Sequence, residues 1–421
     1  MGEKVSVECC VVGGGPAGML LGLLLARAGV QVIVLEKHAD FLRDFRGDTV
    51  HPSTLEIMHQ LGLLESFLKL PHRRIHELRV RMGNTEVPVA DFSHLATKCR
   101  FLALMPQWDF LNFIATEARR YPSFALRMRT EATGLIEEAG TFVGVRAQGP
   151  DGPIEVHASL VVGANGRQSE LREEAGLEIE SLGAPMDVMW FRLSRLPDDR
   201  PQAMGTFDRG RILILLDRGE HWQVGYVIAK GSLEQIRGAG LDAFREAIAQ
   251  LEPFARERLR EIQSWEDVKL LTVRIDRLRQ WYRPGLLFIG DAAHAMSPVG
   301  GVGINLAVQD AVAAANVVAE PIRQGRLTTG HLRRVQRRRE LPTRMTQRLQ
   351  ILMQELIVRP TLAGGEGRPH LPAAFRVLAH VPLMRRVPAW LIGVGLRFER
   401  VRTPAVEGIR AEEERVPVAV E

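Results

Sequence analysis

Val5-Ser6-Val7-Glu8-Cys9-Cys10-Val11-Val12-Gly13-Gly14-Gly15-Pro16-Ala17-Gly18 is the stretch on which the fold turns. Val5–Val12 is a short apolar run ending in glycines, the pattern of a buried strand. Small and apolar residues over Pro16–Gly29 predict a helix, and Val30–Glu36 predicts a second buried strand. Strand, turn, helix and strand within about 30 residues form one βαβ unit. The turn matches G-x-G-x-x-G in the context that gives this pattern meaning. Gly13 permits the tight turn, Gly15 lets backbone approach a diphosphate, and Gly18 allows close helix–strand contact. Pro16 and Ala17 open the helix, whose free N–H groups suit phosphate. Glu36 follows Gly18 by 18 residues and can accept both hydroxyls of a ribose. It would repel a 2′-phosphate, so the nucleotide held there is an adenosine without one. Lys37, beside Glu36, is counted with the same cradle.

A second motif lies far along the chain. Leu286-Leu287-Phe288-Ile289-Gly290-Asp291-Ala292-Ala293-His294 reads as a buried strand delivering an aspartate at its carboxyl end. Open α/β sheets bind ligands there, and Asp291 suits a polyol hydroxyl. The alternative is a helix N-cap, a place aspartate also favours. Pro298-Val299-Gly300-Gly301-Val302-Gly303-Ile304-Asn305 then opens a long Ala/Val helix, predicted over Ile304–Ile322. Its small residues let a flat ring lie on the backbone, and the helix N-terminus would favour negative charge on that ring.

Outward from these motifs, Ser53–Leu70 and Trp108–Arg120 read as amphipathic helices. Phe124–Leu135, Phe142–Ala147 and Ile154–Gly163 read as strands, with Pro150-Asp151-Gly152 as a hairpin turn. Met186–Ser194, Arg211–Asp217 and Trp222–Ala229 are β-branched and aromatic, the signature of a mostly antiparallel sheet. Leu241–Leu251 and Phe254–Ile262 read as helices, and Pro360–Pro372 as a linker. The predicted fold is α/β: a Rossmann-like domain (1–72, 98–180 and 265–330) interrupted by a mostly antiparallel sheet domain (73–97 and 181–264). A C-terminal helical region (331–421) follows.

Composition narrows the function. The 421 residues are 46% apolar and 25% charged, which excludes a disordered or low-complexity chain. Three cysteines (Cys9, Cys10, Cys99) make neither a disulfide framework nor a metal-ligand spacing, so no metal is expected and a reduced, cytoplasmic setting is. The N-terminus has no basic region with a cleavage site, and no apolar run reads as long enough to span a bilayer. From His331 to Glu421 there are 17 Arg and 9 Glu with no Lys or Asp, so this end is basic and the remainder slightly acidic. Such clustering marks either an acidic partner or a solvated helix face. No nucleic-acid partner is expected. The apolar and arginine-bearing Leu383–Arg402 suits an anionic membrane surface, with packing on the first domain or a homodimer contact as alternatives.

Taken together, these motifs resemble the FAD-dependent class A flavoprotein monooxygenases, the aromatic hydroxylases related to para-hydroxybenzoate hydroxylase, over about residues 5–325. The resemblance rests on the N-terminal turn with Glu36, on Val161-Val162-Gly163-Ala164-Asn165-Gly166-Arg167, and on Gly290-Asp291 with Pro298–Asn305. It implies tightly bound, non-covalent FAD. Beyond the turn and Glu36, it places Arg46, Gln107, Ala132, Asn165, Gly166, Asp291, Pro298, Gly301, Val302, Gly303, Ile304 and Asn305 at the cofactor. Asn165 departs from the family's Asp-Gly: it keeps the size and hydrogen bonding of aspartate and loses the charge. With one G-x-G-x-x-G there is no second Rossmann domain, so NAD(P)H is a transient reductant.

The implied reaction uses O₂ through a flavin C4a-hydroperoxide to hydroxylate or epoxidise an apolar, aromatic small molecule, in a site kept dry. Pro298 should border that pocket, and Trp190, Trp222 and Tyr226 are expected to line it, with core packing as the alternative for each. His51 is expected near the flavin. Arg192 suits a substrate carboxylate or a surface strand, and His294 a structural role. No catalytic base is assigned. Two rivals share the fold: a geranylgeranyl-reductase-like enzyme that inserts no oxygen, and a non-catalytic flavoprotein escort.

Overall fold

The computed structural model describes residues 2–42, 49–199, 204–208, 210–364 and 373–406. Arg46 lies outside the described residues, as do 365–372 of the expected linker.

Glu3–Val12 forms the central strand of an eight-stranded sheet. Its neighbours Val32–Leu35 and Gly152–Gly163 run parallel to it, and Phe124–Arg127 and Leu286–Phe288 extend the parallel set on either side. Alternation along the central strand explains why its final stretch, Cys9–Val12, is continuously apolar. Cys9 and Val11 enter one core, Cys10 and Val12 the other, and all four are buried. The first core lies beneath Pro16–Arg27, Gln107–Ala118 and Gly303–Arg323. The second lies beneath the antiparallel strands Glu131–Glu138 and Thr141–Gly149.

Helix Gly303–Arg323 corrects one expectation. With its lead-in from Val299 it is long and apolar enough to cross a bilayer, yet 83% of that window is buried inside the protein. Ala311, Val312, Ala313, Ala314 and Ala315 are all buried, which is why the sequence is apolar around the whole helix.

A second, seven-stranded sheet joins Glu77–Met82 and Thr85–Asp91 to Gly205–Asp208, Arg211–Asp217, His221–Ala229, Met186–Ser194 and Lys269–Leu271. Its pairs are antiparallel except Gly205–Asp208 with Glu77–Met82. One face packs on helix Leu241–Leu251 through Phe191, Trp222, Val224, Tyr226 and Phe244. The other carries Val188, Trp190, Ile212 and Val227 against Val299 and Val358.

Three element boundaries differ from the sequence reading. Ser53–Leu70 is two helices, Pro52–Gln60 and Leu64–Phe67, parted where Gly62 takes φ 75°. Phe124–Leu135 is two strands, parted where Arg129 takes φ 52°. Phe254–Ile262 is not an α-helix. It forms 3₁₀ turns at Pro253–Ala255 and Arg258–Glu261, which suffice to seat Ala255, Leu259 and Ile262 under the second sheet.

The arginine-rich region begins with a 25-residue helix, Thr329–Met353, continued by a π-turn over Gln354–Val358. Its inner face is polar. Gln336, Arg339, Thr343, Gln347, Gln350 and Gln354 are buried at helical spacing. The glutamines satisfy backbone groups of the Ser297–Val299 loop and of the short strand pair Asp276–Leu278 and His294–Ala295. Gln350 Nε2 donates to the carbonyls of Ser297 and Val299 at 2.9 and 2.8 Å, while its Oε1 accepts Ser297 N–H at 3.1 Å. Gln347 Nε2 likewise donates to the carbonyls of Asp276 and Ala295 at 2.9 and 3.1 Å.

Candidate active site

Backbone links across the carboxyl edge of the parallel strands gather the motif residues into one row. Gly13 N–H donates to Leu35 carbonyl at 2.8 Å, Ala164 N–H to Val12 carbonyl at 2.7 Å, and Ile289 N–H to Gly163 carbonyl at 3.0 Å. Gly13, Glu36, Asn165-Gly166 and Asp291 therefore stand side by side, although more than 270 residues separate the first from the last. This edge is where an open α/β sheet offers strand ends and a helix N-terminus to a ligand.

The glycines differ in what holds them. Gly13 has φ 110°, and a Cβ there would lie 2.5 Å from Ala164 carbonyl oxygen. A Cβ on Gly18 would lie 2.0 Å from Gly13 carbonyl oxygen, so this glycine is fixed by helix–turn contact. Around Gly15, which caps Pro16–Arg27, nothing lies within 4 Å of that position. Gly166 also faces open space, at φ 81°. An open, positively polarised helix end with one bare glycine fits a diphosphate, and these residues fit FAD.

Glu36 is buried, and both its oxygens engage backbone. Oε2 accepts Gly14 N–H at 2.9 Å and Oε1 accepts His38 N–H at 3.0 Å. The acid thus shapes the turn it was expected to complement, and a carboxylate retains further lone pairs for a ribose. Lys37 is exposed and pairs with Glu131 at 3.4 Å. Gln107 opens helix Gln107–Ala118, and Ala132 is half-buried on its strand opposite Ala147.

Asp291 faces Arg167 at 3.6 Å, an ion pair that bridges the Asn165-Gly166 motif and the Gly290-Asp291 motif. Behind Asp291, Asp310 reaches from helix Gly303–Arg323. Its Oδ2 accepts Gly290 N–H at 3.0 Å and lies 2.5 Å from His294 Nε2, and its Oδ1 accepts Arg339 Nε–H at 2.8 Å. Burial alone would raise the Asp310 carboxyl, but the charges and hydrogen bonds of His294 and Arg339 hold it below the usual carboxylate range. Arg339 also lies 3.6 Å from Glu399, which in turn pairs with Arg338 at 2.7 Å. Sequence reasoning gave His294 a structural part and missed the rest of this chain. An aspartate inside an Ala/Val helix was its available signal.

The segment after the second motif turns at Gly300 (φ 81°) and Gly301 (φ 63°) into Gly303, the first residue of the long helix. Val302 and Ile304 are buried and Pro298 half-buried. Asn305 is buried too, and its carboxamide oxygen is taken by Ser53 and Thr54, which tie the long helix to Pro52–Gln60. His51 is fully buried, with Nδ1 2.7 Å from Ile392 carbonyl and Nε2 2.9 Å from Gly301 carbonyl. It spans the glycine turn and the C-terminal helix Arg386–Gly393. Burial lowers its pKa below the ordinary imidazole value, against the raising effect of those two carbonyls.

The structure separates the three aromatic candidates. Trp190 belongs to the sheet face that meets Val299, packs over Gly225, and leaves its buried Nε1 without a hydrogen-bond partner among the described residues. Trp222 and Tyr226 lie on the opposite face. Trp222 Nε1 donates to Asp199 at 2.8 Å, and Tyr226 packs edge-on to Phe244. The expectation that they line the pocket is corrected by strand alternation, since even-numbered residues of His221–Ala229 point to helix Leu241–Leu251.

A polar cavity of about 600 Å³, absent from the sequence reading, lies beside the Arg167 end of the row. Arg167, Ser169, Arg172, Lys230 and Arg274 line it together with Glu170, Glu173 and Asp276, and Arg172 and Lys230 are already paired with Asp276 and Asp187. Among the described residues, Ser169 Oγ and Arg172 Nε are buried there without a hydrogen-bond partner and Arg274 has no carboxylate partner.

Comparison with known proteins agrees with this geometry. Residues 6–349 match the family model described as FAD binding domain. The chain is 31% identical over 410 residues to 6-methylpretetramide 4-monooxygenase of Streptomyces rimosus, covering 96% of each chain. It is 24% identical over 328 residues to para-nitrophenol 4-monooxygenase of a Pseudomonas species, covering 76% of this chain and 79% of that one. Among solved structures, p-nitrophenol 4-monooxygenase from Pseudomonas putida superposes with TM-score 0.73 at 22% identity, covering 94% of this chain and 100% of that one. Its likeness is one of fold. With the open helix end, the Glu36 turn and Asp291 aligned in one row, the chain belongs to the FAD-binding flavoprotein monooxygenases.

Proposed function

We propose that this monooxygenase uses NAD(P)H and O₂ to hydroxylate an apolar aromatic small molecule. The observation that carries the reading is the single row formed by Gly15, Glu36, Asn165-Gly166 and Asp291 at the carboxyl edge of the parallel sheet. FAD bound there supplies two-electron transfer and activation of O₂. The protein's part is positioning and exclusion of water. Gly13–Gly18 offers backbone N–H groups to the diphosphate, Glu36 its remaining lone pairs to the ribose, and Asp291 a carboxylate to the ribityl hydroxyls. The N-terminus of Gly303–Arg323 opposes negative charge on the ring, as a helix start does for any anion.

The substrate's place is beside the Pro298–Val299 segment, on the side of the sheet that bears Trp190. That face is apolar, and the partnerless Trp190 Nε1 is a donor for a substrate oxygen. The reductant's phosphates suit this cavity, where Arg274 supplies a charge with no carboxylate partner among the described residues and Ser169 a buried hydroxyl. Arg167 joins this cavity to Asp291, so a nucleotide held there would adjoin the cofactor row.

FAD-loaded protein is given NADPH or NADH, O₂ and a panel containing 6-methylpretetramide, para-nitrophenol and fused-ring phenols. Substrate-stimulated NAD(P)H consumption with a product heavier by one oxygen atom is the expected result. Products that never gain oxygen would reject hydroxylation.

A further inference from the structure

Helix Thr329–Met353 and its π-turn are amphipathic in the inverted sense. The polar stripe from Gln336 to Gln354 is buried, while Leu341, Met345, Leu349, Leu352 and Leu356 are 62, 41, 37, 52 and 62% exposed. Their spacings of four, four, three and four residues keep them on one side over about 22 Å of helix. Inward glutamines spend their hydrogen bonds on groups inside the protein, so propensity and core packing leave the outward leucines unexplained. A contiguous exposed apolar stripe marks a surface that meets something else.

The charges beside the stripe select what it meets. Between Thr329 and Ala363 there are eight arginines, two glutamates, and no lysine or aspartate. Glu340 and Glu355 are used within the helix by Arg344 and Arg359, at 3.2 and 2.9 Å. Arg337 and Arg348 are exposed and have no carboxylate partner among the described residues. Arg348 lies three residues after Met345 and four before Leu352, so it flanks the middle of the stripe. Self-pairing about a two-fold at that point would set Arg348 against its own copy. The C-terminal helices repeat the combination, with Leu383, Val387 and Trp390 exposed beside Arg386.

We propose that the Leu341–Leu356 face of this helix seats the enzyme on an anionic lipid surface, with the leucines entering the acyl boundary and Arg337 and Arg348 meeting headgroup phosphates. Leucine stripes edged by arginine are the chemistry of interfacial helices, and arginine near an anionic leaflet adds salt-sensitive attraction. The inference does not rest on the reaction proposed above.

The test is flotation of the full-length, FAD-loaded protein with vesicles of equal phosphatidylglycerol and phosphatidylcholine, against vesicles of phosphatidylcholine alone, at 50 and 500 mM salt (order-of-magnitude conditions set by roughly 10 Å screening at 0.1 M). Binding is expected to the anionic vesicles at low salt, and to fall at least about tenfold on neutral vesicles or at high salt. Leu352→Glu with Leu356→Glu should abolish it, and Arg337→Gln with Arg348→Gln should require about tenfold more lipid. Unchanged flavin absorbance and melting would show that both variants remain folded. Three results would overturn the proposal. The first is no binding to anionic vesicles at low salt. The second is binding that survives Leu352→Glu with Leu356→Glu. The third is a dimer by light scattering, without lipid, that the glutamate variant splits, since the stripe would then be a self-interface. Equal loss of binding to an acidic polypeptide and to vesicles would assign the face to a protein partner and reject the lipid.

Discussion

Asp310 and Arg339, from consecutive helices, meet at 2.8 Å with both side chains withdrawn from water. Their pairing fastens the arginine-rich helix to the backbone of Gly290, because the same carboxylate accepts the Gly290 N–H. Breaking a buried pair by removing one partner leaves an uncompensated charge, at a cost of about 3–5 kcal/mol. Arg339→Met should therefore lower unfolding free energy by about that amount in urea titration. It should also loosen FAD, read by flavin retained after gel filtration.

Gly15 and Gly18 should behave oppositely. Gly18→Ala collides with Gly13 carbonyl oxygen and should cost about 1–3 kcal/mol of stability, as overpacking does. Gly15→Ala meets nothing in the protein, so melting of the FAD-free chain should move by less than that expected for an ordinary surface change, about 0.5 kcal/mol. Its FAD affinity should fall at least about tenfold, by the crowding of a diphosphate that needs close backbone approach. Equilibrium titration followed by flavin fluorescence separates the two.

Arg274→Gln should raise KM for the nicotinamide nucleotide about tenfold or more, the scale of one lost charge-assisted contact. Bound FAD should be unaffected. Steady-state kinetics with nucleotide as the varied substrate checks this, and an unchanged KM would remove the cavity from the reductant's path.

Burial depresses the His51 pKa, and the sign of its pH effect follows. The unfolded chain takes up a proton near pH 6.5, while the folded protein resists until lower pH. His51 thus costs no stability above about pH 6.5, and stability is lost as pH falls below that value toward the folded pKa. Urea midpoints compared at pH 7.5 and 5.5 should show a larger drop for the parent protein than for His51→Gln.

Trp190→Ala should weaken aromatic substrate binding and raise NAD(P)H consumption without product. Trp222→Ala should lower stability by about 3–5 kcal/mol, the cost of emptying a packed aromatic site. It should leave KM for the aromatic substrate nearly unchanged. Product-to-NAD(P)H ratios and thermal melts distinguish the two tryptophans.

The parallel sheet was legible because its strands are buried on both faces near their carboxyl ends, so Cys9–Val12 and Leu286–Gly290 read as unbroken apolar runs beside or ending in glycine. The row of Gly13, Glu36 and Asp291 was legible because each residue type answers a local geometric need. The side assignment of Trp190 against Trp222 was not inferred. Both strands were found, but which face meets the first domain depends on packing between segments distant in sequence. The cavity beside Arg167 escaped for the same reason, since Arg274 and Ser169 come from unrelated segments. Asn305 had a local signature, and its tertiary contact with Ser53 and Thr54 was not legible because those residues come from a distant segment.

Gln347 and Gln350 grip Asp276, Ala295, Ser297 and Val299 only through main-chain atoms. A clasp of that kind is indifferent to which amino acids occupy the clasped positions. Val299 can thus exchange its side chain while the path of the segment through space stays where the glutamines put it.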